Sequence, residues 1–301
     1  MHPNLRRRTM LGNALLAPLI ALNACAPSDP IEVALKRLRR HAQRKTPPGP
    51  QDWLAQHQEA GQTYTQFRQQ VKTPAGERFS TLRLVPIGPL TAAQQSVLEA
   101  VRDFLPAFFG LRLAQDEPVG LDAIPPDAQR LLLPWETPQL LTPYLLNEVL
   151  MKRRQSTDAA VLGITAIDLW PGEGWNFVFG QASLKERVGV WSMARSGDPD
   201  ESAESRQLCT LRTAKTSLHE TGHMFGIRHC IAYECGMNGS NHSVERDRQP
   251  LEFCPECQAK VWWTVKMDPA ARSRQLSAVA SKHGLADEAA SFARQARLLG
   301  A

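Results

Sequence analysis

One eleven-residue stretch constrains this chain more than any other: His219-Glu220-Thr221-Gly222-His223-Met224-Phe225-Gly226-Ile227-Arg228-His229. His219 and His223 are four residues apart, so on a helix both imidazoles leave one face about one turn apart. Two nitrogens so placed can share one metal ion at the roughly 2.0–2.1 Å of a zinc–imidazole bond. Glu220 follows the first of them and can lean over an open coordination position without binding the metal. A helix running on past His223 would carry His229 away, so the chain must turn between them. Gly226 is the residue able to take positive φ there at low cost. His229 can then return as a third ligand. Three neutral imidazoles leave a fourth position for water, the mark of a catalytic rather than a structural zinc.

Four cysteines crowd the same region. Cys230 directly follows the third histidine, Cys235 comes soon after, and Cys254 and Cys257 form a C-x-x-C pair. Two close pairs joined by a loop suit tetrahedral zinc. The rival is two disulfides, which an exported protein would favour; the adjoining metal motif weighs towards zinc. Six cysteines in 301 residues are too few for a fold built on disulfides. Cys209 has no partner in this pattern and reads as a small buried hydrophobe.

The His219–His229 stretch, Cys230, Cys235, Met237 and the closing Cys254-Pro255-Glu256-Cys257 together resemble the archaemetzincins, a branch of the metzincin zinc peptidases. The interval from Met237 to Cys254 is one residue shorter than is usual in that family, within a polar loop that can absorb it. The resemblance is densest over residues 143–263 and extends loosely back to Thr81. It implies an α/β (α+β) fold, with a metzincin-like mixed twisted sheet and an active-site helix. A C-terminal subdomain would carry the four-cysteine zinc site and the terminal helices. It further implies two Zn²⁺ per chain, one catalytic on His219, His223 and His229, one structural on Cys230, Cys235, Cys254 and Cys257. Met237 would be the Met-turn residue beneath the catalytic metal.

The implied activity is that of a zinc metallopeptidase. The metal lowers the pKa of its water towards about 7, and Glu220, as general base, takes the proton and hands it to the leaving amine. Substrates, read as peptides or unfolded protein segments, would lie extended along an edge strand. By position residues 188–193 are the candidate for that strand, with Trp191 either facing the cleft or filling the core. Tyr233, between two cysteines, reads as local packing. The alternative from another class is a non-hydrolytic zinc-binding envelope lipoprotein, a metal buffer or assembly factor. A mere binder has no need of a carboxylate at position 220.

The rest of the chain supplies an address and a scaffold. Residues 1–24 read as a signal peptide, with Arg6, Arg7 and Arg8 ahead of a 13-residue apolar run from Met10 to Leu22,. That run is too short to span a bilayer, which takes roughly 20 residues. Leu22-Asn23-Ala24-Cys25 resembles a bacterial lipobox with Cys25 as the lipidated residue, and Arg7-Arg8-Thr9-Met10-Leu11 resembles a twin-arginine signal. The expected location is the cell envelope, lipid-anchored and facing the periplasm, in the outer membrane where one exists. The formal net charge is +5, and without the three signal arginines it is about +2, which gives no ground for a nucleic-acid partner.

Residues 25–75 read as a helical, Pro-rich tether, with helices at 31–43 and 53–71, holding the body off the membrane. Residues 76–268 form the expected peptidase domain. Its order is a strand at 81–87, a helix at 91–109, a strand start at 111–113, an irregular Pro-rich segment at 117–139 and a helix at 143–154. A buried strand at 159–169 follows, then strands at 176–180 and 188–194. Residues 269–301 read as two C-terminal helices parted at His283-Gly284.

Overall fold

The computed structural model describes residues 29–71, 79–183 and 185–300. The signal peptide, the twin-arginine resemblance and Cys25 lie outside the described residues. No described helix is long and apolar enough to cross a membrane.

Three helices open the chain: α1 (Pro30–Arg39), α2 (Trp53–Gln56) and α3 (Tyr64–Gln70). The helix expected over 53–71 is therefore broken. Thr63 and Gln66 form a reciprocal capping box that starts α3 as a new helix,. Nor do these elements stand clear of the body as a spacer would. Leu35, Leu38 and Tyr64 are buried with Ala259 and Trp262 in a cluster of their own, because the apolar stripes of α1 and α3 find a partner helix to cover them.

The central sheet follows from apolar runs with no polar alternation. Strand β1 (Thr81–Ile87), helix α4 (Ala92–Phe109) and strand β2 (Arg112–Gln115) lead into β3 (Gln129–Leu132), β4 (Thr137–Leu141) and the short helix α5 (Thr142–Tyr144). A π-helical run Leu145–Leu150 and a tight turn Met151–Arg153 continue α5. Then come β5 (Asp158–Thr165), β6 (Asp168–Trp170), β7 (Gly180–Ser183) and β8 (Val188–Ser192). The five-stranded sheet has the order β2-β1-β5-β8-β7, parallel except for the antiparallel pair β7–β8.

Both faces of the three inner strands β1, β5 and β8 are covered, which is why these strands read as nearly continuous apolar runs. Leu82, Leu84, Ala160, Leu162 and Trp191 face the core that contains α4. Val85, Ile87, Val161, Val188 and Val190 face Leu145–Leu150 on the other side. Trp191 is thus a core residue, 0% exposed.

Four expectations change here. The strand expected at 176–180 begins only at its last residue and runs as β7, Gly180–Ser183. The segment 117–139 is not irregular throughout, since β3 and β4 pair and join β6 in a small second sheet. The single strand over 159–169 divides between the two sheets as β5 and β6. Residues 188–193 are not an edge, because β8 lies between β5 and β7; the edge strands are β7 on that side and β2 on the other.

Helix α6 (Ala203–Met224) follows β8, then α7 (Ser243–Arg248), α8 (Pro255–Val265), α9 (Pro269–Lys282) and α10 (Ala286–Leu299). The last two are parted at His283-Gly284 as the sequence predicts. Helix α9 packs on α10 and on α4, and Cys209 is a fully buried member of the main core.

Candidate active site

Helix α6 ends with His219 and His223 in its last turns. Gly226 stops it at φ +82°, with Ile227 N–H reaching back to the Gly222 carbonyl at 3.1 Å, a Schellman closure. His229 then returns from the following loop. The three imidazoles converge: ring centroids lie 4.6 Å (His219–His223), 5.2 Å (His219–His229) and 4.8 Å (His223–His229) apart. One ligand atom from each falls within 4.8 Å of the others.

The rings are oriented from behind. Nδ1 of His219 lies 2.8 Å from the Gly236 carbonyl, Nδ1 of His223 2.8 Å from the Ile227 carbonyl, and Nδ1 of His229 2.7 Å from Oε1 of Glu59. Each acceptor fixes the proton on Nδ1 and leaves the Nε2 lone pair free, the tautomer a metal needs. Nε2 of His219 and Nε2 of His223 then face each other at 3.0 Å, two lone pairs that repel unless a cation lies between them. The donor set fits a zinc ion. Burial and the neighbouring imidazoles push His219 well below its ordinary value and His223 down to about 4, so both rings stay neutral.

Glu220 lies beside β7, where a Cβ placed on Gly180 would come 3.1 Å from Glu220 Cγ. Burial pushes its carboxyl up to about 7, while Arg246 and His229 draw it down. Glu220 and the three histidines line a cleft of about 510 Å³, walled by residues 174–180 and by Trp53, Ser240, Asn241 and Arg246. Met237 is fully buried beneath α6. A Cβ on Gly222 would lie 2.6 Å from its Sδ, so any larger residue there has to displace the Met237 side chain.

The four clustered cysteines form a second donor set, all buried, with one sulfur from each within 4.8 Å of the rest. Cys230 Sγ and Cys254 Sγ are 3.6 Å apart. A disulfide needs about 2.05 Å, whereas sulfurs about 2.3 Å from a central zinc stand about 3.8 Å apart. Hydrogen bonds from the other three thiols pull the Cys230 thiol down, and burial pushes Cys235 and Cys254 up. The buried Lys260 ammonium lies 3.8 Å from Cys257 Sγ, a counter-charge that suits thiolates. Tyr233 packs locally, its ring under the Arg44 guanidinium at 4.5 Å.

Two residues of the site carry no signal in the sequence. Glu59 and Trp53 come from the segment read as a tether. Trp53 stacks on His57 and meets the His229 ring edge-on at 5.3 Å. Burial opposes the charge on Glu59, but the hydrogen bond from His229 holds its carboxyl below the ordinary value.

An α/β body with three converging imidazoles and an adjacent carboxylate at the end of one helix defines a metal-dependent hydrolase. The model of peptidase family M54 matches residues 129–262. The archaemetzincin-2 of Homo sapiens is 34% identical over 248 residues, covering 72% of this chain and 68% of that protein. That of Macaca fascicularis is 33% identical over 254 residues, with the same two coverages. The crystal structure of the archaemetzincin of Methanopyrus kandleri is 28% identical, with a TM-score of 0.50, covering 63% of this chain and 97% of that one. The chain belongs to the archaemetzincin family of zinc metallopeptidases.

Proposed function

We propose that this chain hydrolyses peptide bonds with a zinc ion held by His219, His223 and His229 and with Glu220 as general base. What carries the reading is the meeting of three Nε2 lone pairs and one half-buried carboxylate at a single cleft. Zinc, when bound, supplies Lewis acidity and brings the pKa of water towards about 7. Glu220 accepts the proton of the attacking water and returns it to the leaving amine. A carboxyl raised to about 7 is suited to both transfers. Strand β7, at the sheet edge beside Glu220, is the proposed rail for an extended peptide or unfolded segment, which it would hold by main-chain pairing. The second zinc, on the four cysteines, is structural.

The Glu220→Gln variant tests the role. Zinc content and fold are expected to persist while peptide cleavage drops about 10²–10⁴-fold. Undiminished cleavage by a metal-verified variant refutes it. We also propose that residues 1–24 direct export and that Cys25 carries the lipid anchor. Cys25→Ser should abolish labelling by radioactive palmitate and release the protein from membranes; retained label contradicts it.

A further inference from the structure

The cleft is lined by one guanidinium, that of Arg246 on α7, and by one carboxylate, that of Glu220. Arg246 is only 7% exposed. Its Nε is enclosed without a hydrogen-bond partner, and no described residue makes a hydrogen bond or ion pair to its guanidinium; Phe179 offers a ring face at 5.9 Å. Neighbouring arginines are matched instead. Arg248 pairs with Asp52 at 2.6 Å, and Arg212 takes Asp247 at 2.5 Å, so the carboxylate next to Arg246 in sequence is already engaged.

Glu220 and Asp247 act on Arg246 only through space; a buried guanidinium without a hydrogen-bonded partner is costly, and its planar fork matches a carboxylate in two parallel hydrogen bonds. Water leaves an apolar-walled cleft when a peptide enters, which strengthens such a pair. Phe177, Phe179 and Trp175 supply those walls.

We propose that Arg246 is the anion-recognising residue of a carboxylate subsite in this cleft, selecting peptides that carry an acidic side chain or their own C-terminal carboxylate close to the scissile bond. The proposal rests on the peptidase reading given above. It deepens that reading by naming the substrate class.

Two peptide pairs test it on the zinc-loaded enzyme. The first pair, acetylated and C-terminally amidated, differs only by Glu against Gln beside the cleaved bond. The second, uncharged in its side chains, differs only by a free against an amidated C-terminus. Turnover is measured on these peptides. Binding is measured on reduced-amide versions that cannot be cut, through fluorescence of Trp53 and Trp175, which line the cleft. In one pair the carboxylate partner is favoured about tenfold or more in both kcat/KM and affinity, and the responding pair identifies the source of the carboxylate.

That preference falls to near unity in Arg246→Met and partly survives in Arg246→Lys, which keeps the charge but loses the fork. Should the methionine variant fail to fold, the wild-type pairs and the lysine variant decide alone. No preference in either wild-type pair overturns the subsite. So does an Arg246→Met enzyme that slows every peptide equally, since Arg246 would then act only on Glu220. A preference in binding with no cleavage of any peptide leaves the subsite standing and overturns the peptidase reading.

Discussion

Glu59 shows what a single residue outside the motif does for the site. Its carboxylate sits 2.7 Å from Nδ1 of His229, fixing the ring's tautomer and raising the electron density on Nε2. The other two rings rest on backbone carbonyls, so His229 alone depends on a side chain that can be exchanged. Glu59→Gln keeps a carbonyl for the hydrogen bond but removes the charge. Zinc affinity, measured by competition with a chromophoric chelator, is expected to weaken about 10–100-fold with the fold intact; unaltered affinity would show the carboxylate to be dispensable. The motif residues were legible because their chemistry fixes their spacing: two histidines one turn apart, a glycine where the helix must stop, a third histidine after it. Glu59 was not, since a glutamate in a Gln-rich segment has no neighbour in sequence that marks its target.

At the scale of elements, the loop carrying Cys235, Gly236 and Met237 joins the two candidate metal sites. Cys235 Sγ accepts from the Cys254 and Met237 amides at 3.1 and 3.3 Å. Gly236 O holds His219, and Met237 fills the hollow under Gly222. Loss of the cysteine site should therefore reach the histidine site through two residues of chain. Cys254→Ser is expected to lower bound zinc from two ions to fewer than one per chain, with a fall in Tm, because metal binding and local folding are linked. A variant that keeps one full equivalent on the histidines would show the sites to be independent.

The elements themselves were legible to different degrees. The runs 81–87 and 91–109 declare a buried strand and a helix opened by the Thr91 and Gln94 capping box,. The edge of the sheet was not legible, because apolar runs give strands without their order. Only the antiparallel return of Gly180–Ser183 against β8 decides which strand is outermost.

For the whole molecule, the N-terminal segment is part of the body. Helix α1 packs on α8 and α10, Lys45 pairs with Glu234 at 3.0 Å, and the Trp53 amide is held by Glu245 at 3.0 Å. Helix α1 thus joins α10 to α8, whose first turn carries Cys257, while Trp53 of α2 walls the cleft and Glu59, between α2 and α3, backs His229. Such long-range docking leaves no periodic trace beyond the apolar stripes of short helices, which is why the sequence alone reads there as a tether.

The central claim is that two chemically distinct zinc sites stand side by side, one of imidazole and one of thiolate. Zinc K-edge X-ray absorption on the fully loaded protein tests it most directly. The expected first shell divides about equally between sulfur at about 2.3 Å and nitrogen or oxygen at about 2.0–2.1 Å. A shell of sulfur alone would mean that the three histidines hold no metal, and would contradict the account.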